Sequence, residues 1–269
     1  MRKVKFLALT AIASLFAIQA MAWGSPQHCT VGYIATRYLT PEAKEACDRY
    51  LRHSLAYHGS WMDYVRYCEG FKASRSWHGL YVTEEGEPKT HERGAIAMIE
   101  RVRREMKDGK HKMMNDSIVA DNIRYLIHTV GEIHCPVHVA FPLSFEPKYE
   151  ETSEFNRYNI KKKGKTLRLH NFWDGISGQL GRKGWTLEKY LEVTDIFSEE
   201  EIKEIMAGDA VAWGRDCIKE AATLYEVTPR GMDIAKISEE ERQAIWTYAD
   251  RLVAKGGYRL AAILNDIFK

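Results

Sequence analysis

The feature that most constrains this chain is a set of acids and imidazoles that begins directly after a cleavable leader. Arg2, Lys3 and Lys5 precede an apolar stretch from Phe6 to Ala20, and Ala20-Met21-Ala22 is a small-x-small cleavage signal. Cleavage after Ala22 places Trp23 at the mature N-terminus, in Trp23-Gly24-Ser25-Pro26-Gln27-His28. A free α-amine has a pKa of roughly 7.7–8.0, so a metal displaces its proton readily near neutral pH. Asp63, His78, His128, Glu132, His138, His170 and Asp174 follow. That supply suits several zinc ions. A fold that uses it must gather positions between Trp23 and Asp174 into one unit.

Charge excludes one class of partner contact. The full chain has 39 basic and 37 acidic side chains, and the leader carries three of the basic ones. The mature chain therefore has a net charge of −1 and no global basic field for nucleic acid. A polyanion would have to be held by metals and a few local cations. The apolar part of the leader is too short for a normal membrane span, and no later run approaches about 20 apolar residues. The expectation is a soluble protein, secreted or periplasmic, without stable membrane association. Residues 1–22 read as a signal peptide and 23–269 as a single catalytic domain. Cys29, Cys47, Cys68, Cys135 and Cys217 match no Cys-x-x-Cys knuckle. Export permits disulfides, so they read as one or two bridges or as buried thiols, with at least one thiol left over.

The hydrophobic pattern predicts an all-α fold with one short β-hairpin. Helices are expected over Pro41 to His53, capped by Thr40, and over Ser60 to Cys68. Glu92 to Lys107 and Asp116 to Val130 follow, the latter running on towards Pro136. Further helices are expected at Glu199 to Met206, Asp209 to Tyr225, Glu239 to Ala254 and Tyr258 to Phe268. Gly256-Gly257 should separate the last two. Tyr158 to Leu169 reads as two short strands around a Lys-Gly turn, its lysines forming a solvated face. Pro142 to Phe155 reads as a long acidic loop. The helices after Asp174 are expected to wrap the metal-bearing part.

The central motif is Leu126-Ile127-His128-Thr129-Val130-Gly131-Glu132-Ile133-His134-Cys135-Pro136-Val137-His138. His128 and Glu132 are four apart, so a helix puts them on one face, about 6 Å apart along its axis. Pro136 ends or bends that helix, which can turn His138 back to the same cavity. His170-Asn171-Phe172-Trp173-Asp174 repeats the spacing. Imidazole with carboxylate is the zinc-preferring mixture where no thiolate is used. His53, His58, His91, His111 and His134 are read as structural or solvated, His134 because it faces away from the ligand pair.

These residues resemble a family: the secreted zinc-dependent single-strand nucleases of the P-one/S-one type. The likeness covers essentially the whole mature chain. It is carried by Trp23-Gly24 with His28, by Trp61-Met62-Asp63-Tyr64-Val65-Arg66 and by Trp77-His78. The His128 to His138 motif, Leu169-His170-x-x-Trp173-Asp174 and Gly257-Tyr258-Arg259-Leu260-Ala261-Ala262-Ile263-Leu264-Asn265 complete it. The resemblance implies a phospholipase C/nuclease P-one-like helical fold with three zinc ions in a cleft. One zinc would take Asp63, His78, His128 and Glu132. A second would take His138, His170 and Asp174. A third would take the amine and carbonyl of Trp23, with His28 and a shared Glu132. Arg66 would steady the phosphate, so Arg66, Asp63 and Glu132 are the implied catalytic residues. The implied reaction is phosphodiester hydrolysis of single-stranded DNA or RNA by a metal-activated water, leaving 5′-phosphates, with 3′-nucleotidase activity beside it.

The chain also departs from the family pattern. Glu132 stands where the family usually has Asp, and Cys135 where it usually has Gln. Glu154-Phe155-Asn156 replaces Gly-Gly-Asn, so only Asn156 matches as a substrate contact. Gly79 and Tyr81 stand near base-contacting positions. Tyr81 either stacks on a base or packs into the protein. Two other readings stay open. Phospholipase C enzymes share an N-terminal Trp and three zincs, but usually end the second site with Glu where this chain has Asp174. The other is a non-catalytic zinc- or nucleotide-binding homologue.

Overall fold

The computed structural model describes residues 23–91, 93–142, 144, 159–176, 184 and 186–269. Residues 1–22, expected to be a signal peptide, Asn156 and nearly all of the expected acidic loop lie outside the described residues. Helices dominate. They are α1 (Ser25–Arg37), α2 (Pro41–Leu51), α3 (Trp61–Val65), α4 (Ala95–Met106) and α5 (Asp116–Ile133). Then come α6 (Leu169–Asp174), α7 (Leu187–Thr194), α8 (Glu199–Met206), α9 (Ala210–Val227) and α10 (Glu239–Phe268).

Local chemistry sets the boundaries. Thr40 Oγ1 accepts the Ala43 N–H at the start of α2, and Pro41 fills its first turn. Asn115 caps α5 and Asp209 caps α9. Ser198 with Glu201, and Ser238 with Glu241, form reciprocal capping boxes on α8 and α10. α3 is shorter than the expected Ser60 to Cys68 segment. α1 and α7 were not expected from the periodicity; α1 mixes buried Gln27, His28 and Thr30 with apolar residues, which blurs its stripe.

Two small sheets complete the fold among the described residues. β1 (Leu80–Tyr81) pairs in parallel with β2 (Val139–Ala140), a pairing between distant segments that the sequence does not announce. β3 (Asn159–Lys162) and β4 (Lys165–Arg168) form the expected hairpin. Its turn residues Lys163 and Gly164 have φ of 53° and 75°, the doubly left-handed turn that suits a two-residue hairpin. The Asp233 carboxylate accepts both of their backbone N–H groups. The hairpin lysines are exposed, as expected.

Gly256-Gly257 does not separate two helices. α10 runs unbroken through both, and its C-terminal half is buried against α1 and α5 rather than wrapped outside them. The glycines serve helix packing. A Cβ on Gly257 would lie 2.5 Å from Ile34 Cβ, and one on Gly256 would lie 3.3 Å from Val31 Cγ2. Their missing side chains let α10 lie directly on α1, and that packing outweighs their low helix propensity.

No disulfide forms among the cysteines, so of the two open readings, bridges or buried thiols, the structure has thiols. All five are free: Cys47, Cys135 and Cys217 are buried, Cys29 is half-buried and Cys68 is exposed. Among the described residues no helix is long and apolar enough to cross a membrane.

Candidate metal centre

The structure draws the sequence-predicted ligands to the C-terminal end of α5. His128 and Glu132 lie on one face of that helix, as their spacing requires, and both are fully buried. The turn Pro136–His138 then folds His138 back onto Glu132. α1 brings His28, α3 brings Asp63, the turn Lys72–Trp77 ends at His78, and α6 brings His170 and Asp174.

Glu132 is the hub. Its Oε1 lies 2.9 Å from His28 Nε2 and 3.5 Å from His128 Nε2. Its Oε2 lies 2.7 Å from His138 Nδ1. One carboxylate thus faces two groups of imidazoles, one through each oxygen. On the first side, Asp63 Oδ1 lies 3.5 Å from His78 Nε2 and 3.8 Å from His128 Nε2. On the second, His138 Nε2 lies 3.0 Å from His170 Nε2 and 3.2 Å from Asp174 Oδ1, with His170 Nε2 3.3 Å from Asp174 Oδ2.

Backbone carbonyls fix the tautomers. His78 Nδ1 lies 2.9 Å from Ser74 O, and His128 Nδ1 lies 2.9 Å from Gly59 O. A carbonyl can only accept, so each Nδ1 carries the proton and each Nε2 presents a lone pair to the centre. Those lone pairs have no hydrogen-bond partner. Asp63 Oδ1 and Oδ2, His78 Nε2 and His128 Nε2 are all buried and unsatisfied. Buried polar atoms in that state are costly unless a cation is to fill the space between them. The donor set is imidazole and carboxylate, which suits zinc. These residues fit the metal.

The electrostatics follow. Burial raises the Asp63 carboxyl, but His78 and His128 outweigh it and leave its pKa lowered. Burial likewise opposes the Glu132 carboxylate, yet His138, His28 and His128 hold it well below the usual range. Burial pushes Asp174 up to about 6, against the pull of His138. Burial lowers His128 to about 3, helped by His28, and lowers His170 to about 3, helped by His138. Both rings are therefore held neutral, the form that ligates a metal.

The N-terminal segment joins the centre. Trp23 is fully buried, and the Gly24 N–H donates to Asp174 O at 2.9 Å. Arg66 NH1 lies 3.3 Å from Asp63 Oδ1, with the Arg66 side chain 12% exposed at the rim. Tyr81 is half-buried, and its ring lies against Gly94, where a Cβ would be 2.8 Å from Tyr81 Cδ2. His134 stands apart, as expected. Its Nδ1–H donates to Val130 O at 2.7 Å, and its Nε2 lies 2.9 Å from Arg259 NH1. Both of its nitrogens are thereby engaged, and burial with the Arg259 cation lowers it to about 3.

Two contributors went unnoticed in the sequence. Gly131 allows His28 to approach α5, since a Cβ there would be 2.6 Å from His28 Nδ1. Cys135 places its sulfur beside His138 and Asp174. The first was visible as a glycine beside Glu132, the second as a Cys-x-x-His spacing.

Comparison with known proteins supplies the family. Residues 23–269 match the family model of the S1/P1 nucleases. Nuclease P1 of Penicillium citrinum is 26% identical over 91% of this chain and 97% of that protein. Nuclease PA3 of a Penicillium species shows the same identity and coverage. Nuclease S1 of Aspergillus oryzae is 21% identical over 98% of both chains. With its helical fold and its buried acid–imidazole centre, the chain belongs to the S1/P1 nuclease family.

Proposed function

We propose that this chain is a zinc-dependent phosphodiesterase that cleaves single-stranded DNA and RNA to 5′-phosphorylated products and also removes 3′-phosphates from nucleotides. The observation that carries the reading is the two-sided placement of Glu132 among buried, unsatisfied ligand atoms. One zinc is assigned to Asp63, His78, His128 and Glu132. A second is assigned to His138, His170 and Asp174. A third is assigned to the Trp23 amine and carbonyl, His28 and Glu132. Bound zinc supplies Lewis acidity and a water whose pKa falls towards 7.

The protein's own groups do the rest. Glu132 ties the ligand groups together through its two oxygens. The Ser74 and Gly59 carbonyls keep the His78 and His128 lone pairs turned inward. Asp63 orients the Arg66 guanidinium, which is placed at the rim to pair with a phosphate oxygen as charge develops on it. Tyr81 and Asn156 are assigned to substrate contact. The first 22 residues act as a signal peptide, residues 23–269 form one catalytic domain, and the protein works outside the cytoplasm. The family match beginning at Trp23 supports that division.

The test is a side-by-side assay of the processed protein, with zinc counted by elemental analysis. Substrates are single-stranded DNA, single-stranded RNA, duplex DNA, a 3′-mononucleotide and phosphatidylcholine. The expected result is about three zinc ions per chain and cleavage of the single strands ahead of duplex. Hydrolysis of phosphatidylcholine alone would make the chain a phospholipase. Full zinc with no turnover would make it a binding homologue, and at most one zinc would end the trinuclear assignment.

A further inference from the structure

The ligand set assigned above leaves out one donor that the fold places beside it. A ligand atom from each of Cys135, His138 and Asp174 lies within 4.8 Å of the other two, and all three residues are buried. The local chain explains the placement. Cys135 precedes the turn Pro136–His138 with φ −78° and ψ 114°, and the His138 N–H donates to Cys135 O at 2.9 Å. Pro136 stiffens that turn, so two donors three residues apart chelate from one short segment. Asp174 adds an independent pointer. Its Oδ2 is buried and has no hydrogen-bond partner. The sulfur therefore lies beside a carboxylate, one oxygen of which a cation would satisfy.

We propose that Cys135 is a thiolate ligand of the zinc assigned to His138, His170 and Asp174, making that site a mixed sulfur–nitrogen–oxygen site with four protein ligands. The proposal rests on the zinc reading of the previous section. On binding, the thiol releases its proton to solvent and the sulfur lone pair forms the bond to the metal. The consequences are chemical. A soft sulfur donor favours zinc over magnesium, calcium or manganese at this position. Four protein ligands match the closed pattern of structural zinc sites rather than the open pattern of catalytic ones. The added negative charge also weakens this metal as a Lewis acid. The Asp63–His78–His128 side, next to Arg66, would then be the better placed of the two to polarise a substrate.

X-ray absorption at the zinc edge of the intact, zinc-loaded protein tests this without any variant. A zinc–sulfur shell at about 2.3 Å is expected; only nitrogen and oxygen neighbours at about 2.0–2.2 Å would overturn the thiolate ligand while leaving the zinc reading intact. A protein that holds no zinc would overturn both. Replacement of zinc by cobalt(II) gives a second readout. A sulfur-to-cobalt charge-transfer band in the near ultraviolet should appear, vanish in Cys135→Ser and persist in Cys68→Ser. A band that survives Cys135→Ser would place the sulfur elsewhere and overturn the assignment. If Cys135→Ser fails to fold, the absorption experiment on the unaltered protein decides.

Discussion

His28 Nε2 lies 2.9 Å from Glu132 Oε1, although the two residues are 104 positions apart. The contact exists because α1 rides directly on α5 at Gly131. The His28 ring is stacked on the His128 ring at 4.1 Å and 13°, so it is held from both sides. Three consequences concern the candidate centre, and a fourth concerns the contact between α4 and α10.

Gly131→Ala should break the junction while leaving α5 helical. The new methyl would sit 2.6 Å from His28 Nδ1, and the stacked His128 ring blocks retreat. Alanine gains about 1 kcal/mol of helix propensity over glycine, so the backbone of α5 should persist. Zinc content should fall by about one ion per chain and turnover by at least about tenfold, since losing a ligand costs metal affinity on that scale or more. Elemental analysis and single-strand cleavage measure both. Unchanged zinc and unchanged turnover would show that His28 needs no contact with the centre.

Retaining one residue before Trp23 should have a related effect by different chemistry. The extra peptide bond turns the terminal amine into an amide, which is a poor ligand, and it fills space beside buried Trp23. A Met-Trp23 form produced without processing is expected to hold less zinc and turn over more slowly than the processed form. Equal zinc and equal turnover would remove the N-terminus from the ligand set.

Glu132→Gln should be the most damaging single change at the centre. It deletes the charge that faces His28 and His128 through one oxygen and His138 through the other. Zinc affinity should fall, activity should nearly vanish, and Tm should drop because bound metal stabilises the native state by linkage. Glu132→Asp restores the family's usual residue with a shorter reach and should keep at least part of the activity. A fully metallated, fully active Gln variant would take Glu132 out of the centre.

Asp266 predicts a pH dependence of stability that involves no residue of the candidate metal centre. It lies 2.8 Å from Arg103 NH2, 2.9 Å from Lys107 Nζ and 2.7 Å from Lys269 Nζ, tying α10 to α4. Burial raises its carboxyl, but Lys269, Lys107 and Arg103 outweigh it and depress the pKa. A carboxylate with a depressed folded-state pKa contributes its stability above the unfolded pKa of about 3.9 and loses it as pH falls from there towards the folded value. Asp266→Asn should therefore cost about 1 kcal/mol near neutral pH, and the gap from the unaltered protein should close as the pH drops below about 4. Chemical denaturation at neutral and acid pH measures it. A gap that is constant with pH would assign the loss to packing instead of charge.

The acids and imidazoles of the candidate centre, the α5 motif, most helix boundaries and the hairpin were legible in the sequence because each is set locally. Helical spacing aligns His128 with Glu132, Ser and Thr caps start helices, and a Lys-Gly pair accepts left-handed backbone. The positions where reading failed are those whose outcome depends on a distant partner. Gly256-Gly257 is a breaker by propensity, and only the presence of Ile34 and Val31 on α1 makes it a packing surface within a continuous helix. The β1–β2 pairing, the seating of His28 over Gly131 and the lack of disulfides depend in the same way on which segments meet. Cys135 joins the two cases. Its spacing to His138 is written in the chain, but its nearness to Asp174 is decided by the packing of α6 against the turn after α5. Local steric and hydrogen-bond preferences are encoded residue by residue, whereas close contact between remote elements is fixed only when the whole core is filled.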